Sequence, residues 1–444
     1  MSKLHSRWYQ LFFGILCMGL VANLQYSWTL FVPPIANKTH WSMSAIQLSF
    51  TIFILVETWL VPVEGWLVDR FGPSVVIMIG SVFAAVGWVV NGYADSITML
   101  YAGAVLSGIG AGCVYGTCVG NALKWFPDKR GLAAGLTAAG FGAGAALTVI
   151  PIGMMIQSSG YEAAFIFFGI VQGVCIFVLS LLMIKPSPPK DIVIPSRIIS
   201  NKRNYDYKQM LKTPLFWLLY LLFTVVAAGG LLVTAQIAPM AKDFGIANIP
   251  MSLLGATLPL ITLTLSIDNL CNGFTRPLCG FLSDHFGREN VMLIVFIGEG
   301  LSMLGLVKYG HEPLAFMFFA AAVFLFWGEI FSIFPALCAD TFGVKYSAGN
   351  YGTMYTAKGT ASLLVPITSF WVVSGNWDNI ILVGTILTVL AGVTAKFILE
   401  PMRKKFIQND LQFLMTQGLT DDESSSTMSA EQNQLKKDPT YVQA

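Results

Sequence analysis

Apolar runs of about twenty residues, the length an α-helix needs to cross the hydrocarbon core of a bilayer, recur along the chain as far as residue 399, separated by short polar stretches. A sliding hydropathy window predicts twelve spans, near 8–34, 45–68, 74–93, 97–123, 131–157, 161–184, 213–239, 252–282, 290–308, 313–338, 346–374 and 378–399. No segment shows the short two-residue alternation of a membrane barrel strand. The expected fold is an all-α membrane protein. The first run follows Lys3 and Arg7, as in a signal peptide, but continues through Val32 and reads as an uncleaved span.

The polar stretches divide the chain. Residues 1–184 read as an N-terminal six-helix half and 185–212 as a proline-punctuated, basic linker loop. Residues 213–401 read as a C-terminal six-helix half, and 402–444 as a polar, disordered tail. Of the 26 Lys and Arg residues, Lys38, Lys242 and Lys308 fall in loops on one side, and Arg276, Lys358 and Lys396 fall inside spans. All the others lie on the opposite side, which predicts both termini in the cytoplasm and an inner-membrane, multi-pass location.

The two halves repeat each other. "VPVEGWLVDRFGPSVVIM" aligns with "TRPLCGFLSDHFGRENVM", placing Pro62 on Pro277, Gly65 on Gly280, Asp69 on Asp284 and Gly72 on Gly287. "AAGLTAAGFGAG" aligns with "NYGTMYTAKGTA", placing Gly135 on Gly352 and Gly142 on Gly359. Same-orientation repeats of this kind predict two pseudo-symmetric halves with a substrate site at their interface. Glycines at every fourth or fifth position (Gly108, Gly112, Gly116, Gly120; then Gly131, Gly135, Gly140, Gly144) predict close helix packing.

Composition adds little beyond the membrane reading: 55% of residues are hydrophobic and 11% charged, against about 25% charged in soluble domains. The seven cysteines fall in apolar runs without metal-ligand spacing, and the four histidines fall in predicted loops. No cofactor or metal, no enzymatic constellation and no nucleic-acid surface is expected.

Two charges break the pattern. Arg276 and Lys358 lie inside predicted spans, where a cation costs at least ~2.5–3.5 kcal/mol. Their repeat partners are Val61 and Phe141, so they are additions to one half and not part of the shared scaffold. Tyr351, Tyr355 and Lys358 share a helical face, as do Trp327 and Phe331. Two cations in an aromatic setting suit a small carboxylate, gripped bidentately by Arg276 and by the point charge of Lys358. The alternative is permanent pairing with an intramembrane acid, among Asp268, Glu57, Glu64, Glu299 and Glu329. Asp268 lies two turns before Arg276 on roughly the same face and is one candidate partner for it.

The loop pattern G-x-L-x-D-R/H-x-G occurs at Gly65–Gly72 and again at Gly280–Gly287. With these the chain resembles the major facilitator superfamily, which implies alternating access. Asp69, Arg70, Asp284 and Arg288, with Arg130, would then work at the cytoplasmic gate. The stretches "LQYSWTLFVPP", "GCVYGTCVGNALKWFPDKRGLAAGLTAAG", "NGFTRPLCGFLSD" and "NYGTMYTAKGTAS" resemble its oxalate:formate antiporter branch. That resemblance implies that Arg276 and Lys358 bind substrate, with Gln25, Tyr26, Gln47, Tyr115, Trp327 and the Tyr355 position lining the pocket. Phe331, Phe141 and Tyr355 stand where that branch has Tyr, Tyr and Trp, and Asp268 and Glu57 replace glutamines. The implied function is exchange of small organic carboxylates of the oxalate/formate type. The alternative is proton-coupled monocarboxylate symport, with Asp268 and Glu57 as coupling residues. A carboxylate sensor signalling through its tail is the reading of a different class; the tail carries no heptad or catalytic pattern. The expected partners are carboxylate anions, the lipid bilayer and, under the alternative, protons, for a monomeric protein.

Overall fold

The computed structural model describes residues 6–126, 130–185, 201–253, 256–343, 346–372 and 377–416. The side chains of Asp69, Arg130 and Asp284, most of the linker and the tail beyond 416 lie outside the described residues.

Twelve helical crossings account for nearly all of it. The first is α1 (Arg7–Val21), α2 (Asn23–Tyr26) and α3 (Trp28–Thr39), stepped at Ala22 and Ser27. The second is α4 (Met43–Trp59) and α5 (Val61–Phe71), followed by α6 (Pro73–Gly92) and α7 (Ile97–Trp125). The segment α8 (Arg130–Ser180) holds crossings five and six, two helices joined at Gly160 (φ 87°), a conformation open to a residue without Cβ. The linker ends in the short α9 (Tyr207–Leu211), and α10 (Pro214–Asp243) is the seventh crossing. A hairpin of β1 (Pro250–Leu253) and β2 (Ala256–Pro259) precedes α11 (Leu260–Phe286) and α12 (Arg288–Tyr309). The tenth crossing is α13 (Pro313–Trp327) with α14 (Ile330–Phe342); the eleventh is α15 (Ser347–Ser362) with α16 (Leu364–Val372). The last is α17 (Trp377–Thr394), continued by a π-turn into α18 (Glu400–Thr416).

Two expectations are corrected. The eighth span does not start at 252: Pro250–Leu253 pairs antiparallel with Ala256–Pro259, with Met251 opposite Leu258. Pro259, at the helix start, biases Leu258 towards extended backbone, which an apolar window does not register. The tail is not disordered from 402, because α18 runs on to Thr416. Its Arg403 is tied to Glu289 at 2.6 Å, and its Asp410 accepts hydrogen bonds from the linker residues Asn201, Arg203 and Tyr205.

Among the described residues, nine helical stretches are long and apolar enough to cross a membrane, one of them the double-length α8. Helices α11 and α15 are not among them. These are the helices that carry Arg276 and Lys358, and they also hold many small and polar residues.

The repeat read from sequence reappears as matching contacts between the halves. A Cβ on Gly135 would stand 3.2 Å from Pro277, and one on Gly352 would stand 3.8 Å from Pro62, its repeat equivalent. One turn or two further on, a Cβ on Gly142 would meet Gly273 Cα at 2.4 Å, and one on Gly359 would meet Thr58 Oγ1 at 2.3 Å. Gly72 and Gly287, also repeat partners, both turn at positive φ (87° and 90°) between consecutive crossings. The glycine stripes pack within the first half: Gly108 and Gly112 of α7 lie against α4, and Gly140 and Gly144 of α8 lie against α1. Gly120 meets nothing within 4 Å, so the α7 stripe does its packing at its first positions.

Candidate functional site

Arg276 sits near the middle of α11 with 1% of its surface exposed. Its Nη1 donates to the Ala138 carbonyl of α8 at 2.6 Å. Its Nη2 donates to Tyr26 Oη at 3.0 Å and to Asn272 Oδ1 at 2.7 Å. The step in the first crossing brings Tyr26 inward, and Tyr26 Oη also donates to Asn272 at 3.0 Å. All of these acceptors are neutral, and Nε has no hydrogen-bond partner. Among the described residues no carboxylate forms an ion pair with Arg276.

Lys358, also 1% exposed, is placed differently. Its Nζ lies 3.0 Å from Glu57 Oε2 of α4, in the opposite half, and donates to Gln25 Oε1 at 2.8 Å and Tyr355 Oη at 3.2 Å. Both members of this ion pair are buried; breaking such a pair from one side is strongly unfavourable. Phe331 presents its ring to both cations, 4.6 Å from Arg276 Cζ and 5.6 Å from Lys358 Nζ. Around them Tyr115 stacks on Tyr355 (5.1 Å, 10°), while Phe141 meets Tyr26 and Tyr115 edge-on at 5.3 and 5.5 Å.

The candidate partner Asp268 forms no ion pair with Arg276. Asp268 is fully buried, and neither carboxylate oxygen has a hydrogen-bond partner. Eight residues of helix rise about 12 Å, out of ion-pair reach; the position one turn away, Asn272, is the one that touches the guanidinium. Glu64, Glu299 and Glu329 are also buried, and none forms an ion pair among the described residues.

The structure thus brings together Arg276, Lys358, Gln25, Tyr26, Tyr115, Tyr355 and Glu57. Trp327 borders this group: it meets Phe331 edge-on at 5.5 Å and Tyr26 at 6.4 Å, its indole lies on bare backbone at Gly230, and Nε1 is unpartnered. Gln47 does not reach the cations. It accepts from Trp28 Nε1 at 3.2 Å and donates to the Ala235 carbonyl of α10 at 2.8 Å, a contact between the halves. Of the expected gate residues, Arg70 lies over Phe71 at 5.4 Å. Arg288 pairs with Asp340 at 3.3 Å and donates to Ser283, both inside its own half. These contacts of Arg288 brace the second half and do not cross the gate.

Sequence reasoning missed Asn272, the Ala138 carbonyl and Gly328. A Cβ on Gly328 would stand 2.5 Å from Asn272 O, so glycine lets the tenth crossing close on α11 beside Arg276. Asn272 stands one turn before Arg276 in "NGFTRP" and was legible from helical spacing; a carbonyl from another helix was not.

The halves meet on both sides of the cations. Towards the face that carries both ends of the described chain lie the Gly135–Pro277 and Gly352–Pro62 contacts. Towards the far face, the Ala238 amide donates to Thr29 Oγ1 at 3.1 Å and Thr51 Oγ1 donates to the Ser362 carbonyl at 2.7 Å. The result is a buried charged cluster at a pseudo-symmetric interface, surrounded by aromatic rings, in which three hydrogen-bond donors have no partner: Arg276 Nε, Gln25 Nε2 and Trp327 Nε1.

Twelve crossings, a repeat that returns as paired contacts and a buried charged cluster between the halves define a two-half membrane carrier. The chain belongs to the Major Facilitator Superfamily, which it matches over residues 11–267 and 235–416. It is similar to the "Oxalate:formate antiporter" of Oxalobacter formigenes, with 34% identity over 409 residues, 90% of this chain and 93% of that protein. It is 27% identical to the "Uncharacterized MFS-type transporter YhjX" of Escherichia coli K12, over 81% of this chain and 86% of that one. It is 26% identical to human "Monocarboxylate transporter 11", over 69% of this chain and 63% of that protein. The protein is a multi-pass membrane transporter of this superfamily.

Proposed function

We propose that this transporter exchanges small organic carboxylate anions across the bacterial inner membrane by alternating access, with Arg276 as the anion anchor. One observation carries the reading. Arg276 is a permanently charged group, buried between the halves, whose hydrogen bonds go to neutral oxygens and whose Nε has no partner. A carboxylate would supply the missing charge and accept from the spare Nε, and the nearby side chains of Gln25 and Trp327 also hold donors without partners. Because Arg276 bonds to both halves, through Ala138 and Tyr26 on one side and Asn272 on the other, a ligand there binds the halves to each other. Closure without an anion leaves a buried cation uncompensated, which disfavours unloaded return and favours exchange. The 34% identity to the oxalate:formate antiporter supports the same class. The excess of Lys and Arg on the terminal face supports a cytoplasmic location for both ends. The carrier works as a monomer, since each chain contains both halves and the whole charged cluster.

A second reading, proton-coupled monocarboxylate symport, is favoured by Asp268. It is a buried carboxyl on the stripe that leads to Arg276, with no basic partner among the described residues.

The test is uptake of labelled formate and oxalate into proteoliposomes with and without internal carboxylate. Exchange predicts uptake only when internal anion is present. Uptake that ignores internal anion and follows an imposed pH gradient establishes symport instead, and absence of carboxylate uptake under both conditions refutes both readings.

A further inference from the structure

The two buried cations are not equivalent. Lys358 carries its own counter-anion, Glu57, brought from the other half to 3.0 Å and sealed from solvent, with exposures of 1% and 0%. Arg276 has no acid at ion-pair distance among the described residues; the buried Glu329 is near enough only to feel its charge. We propose that Glu57 sets the charge of the transported anion: by neutralising Lys358 it leaves one cation for substrate, so the site takes carboxylates of charge −1 and turns away those of charge −2. The inference rests on the carboxylate reading above and sharpens it.

Three features argue for it. A dianion using both cations must displace Glu57 from Lys358, and no second basic side chain stands by to receive it: among the described residues, Glu57 pairs with Lys358 alone. Its other oxygen, Oε1, already lacks a partner. The displaced carboxylate would then be buried beside the incoming second carboxylate, and like charges in a low-dielectric interior repel strongly. Lys358 is, moreover, already held by Gln25 Oε1 at 2.8 Å and Tyr355 Oη at 3.2 Å as well as by Glu57, so its near donors are committed. Arg276 instead keeps Nε without a partner. Glu57 therefore occupies the place on Lys358 that a second substrate carboxylate would take. Asp268, Glu64, Glu299 and Glu329, the other buried acids of the bundle, form no ion pair with either cation.

Charge-exchanged variants test this. In proteoliposomes, the ratio of formate to oxalate exchange is compared for the unaltered protein, Glu57→Gln and Glu57→Gln/Lys358→Gln. Glu57→Gln adds one positive charge and is expected to shift the ratio at least tenfold towards oxalate. The double variant restores the net charge and is expected to return the ratio to within about threefold of the unaltered protein. A merely structural role for the pair predicts the reverse: both variants lose rate equally, with the ratio unchanged. An unchanged ratio in Glu57→Gln overturns the proposal. A measurement that needs no variant stands beside it. Thermal unfolding of the purified, unaltered protein at pH 7 is expected to show stabilisation by formate and acetate at concentrations at least tenfold below those of oxalate. Stronger stabilisation by oxalate overturns the proposal whether or not Glu57→Gln inserts. Failure of every carboxylate to exchange or stabilise points to the carboxylate reading itself; exchange of both anions at an unchanged ratio points to Glu57.

Discussion

Arg276→Lys separates charge from geometry at the anchor. Lysine keeps one positive charge on α11 but replaces a planar, five-donor fork by a compact ammonium. The present guanidinium spends Nη1 on Ala138 at 2.6 Å and Nη2 on Tyr26 and Asn272 at 3.0 and 2.7 Å, leaving Nε spare. An ammonium in that place has three protons for the same three oxygens and none spare for a ligand. The variant thus loses at least one charge-assisted hydrogen bond to the anion, worth ~1.5–3 kcal/mol. At ~1.4 kcal/mol per tenfold, that is roughly a 10- to 100-fold rise in KM. The local scaffold is expected to survive, since Tyr26 Oη bonds to Asn272 without the arginine. The assay is initial-rate counterflow of labelled formate over a range of concentrations, with the amount of inserted protein quantified. Arg276→Gln, which removes the charge as well, is expected to abolish measurable exchange. A KM within threefold of the unaltered value in Arg276→Lys, at normal insertion, refutes the assignment of Arg276 as the anion grip.

Three further outcomes follow from particular contacts. Gly142→Ala places a methyl group 2.4 Å from Gly273 Cα, where both neighbours are backbone; overpacking of ~1–3 kcal/mol is expected to keep the halves apart, giving normal insertion but at least a fivefold loss of exchange rate. Asp410→Ala removes a buried acceptor of hydrogen bonds from Asn201 (2.6 Å), Arg203 (3.1 Å) and Tyr205 (2.8 Å); with half-exposed Arg203 discounted, a loss of ~2–4 kcal/mol is expected, read as faster amide exchange in residues 201–206 and α18. Glu400 is pushed up by burial, but hydrogen bonds from Lys396 (2.6 Å) and Lys404 (3.0 Å) outweigh this and hold its pKa below the usual carboxylate range. A depressed folded pKa means that the stabilisation is complete above the unfolded value and fades as pH falls through the folded one. Amide protection of α18 is therefore expected to drop between about pH 5 and pH 3, and Glu400→Gln is expected to weaken that pH dependence in the first turn of α18, where Glu400 sits; an unchanged profile in the variant refutes the link.

Much of this was readable without coordinates. The repeat positions Pro62/Pro277, Gly135/Gly352 and Gly142/Gly359 were visible as aligned letters, because the halves share a scaffold whose backbone contacts demand the same small or rigid residues twice. Arg276 and Lys358 stood out for the opposite reason, as charges on one copy only. The hairpin at 250–259 was not readable, because its residues are as apolar as a span and the window ignores what Pro259 does to the backbone. Helix α18 was missed because a polar composition hides a helix held by ion pairs and by a docked linker.

The sequence by itself determined the membrane class, the twofold repeat and the identity of the two buried cations, since hydropathy, spacing and charge are properties of residues in order. Only the tertiary structure decided which cation is neutralised. Glu57 and Lys358 are 301 residues apart and meet because α4 packs on α15, whereas Asp268 and Arg276 share a helix and are held apart by its rise. Long-range packing, not proximity in sequence, assigned the acid to the lysine and left the arginine without one at ion-pair distance.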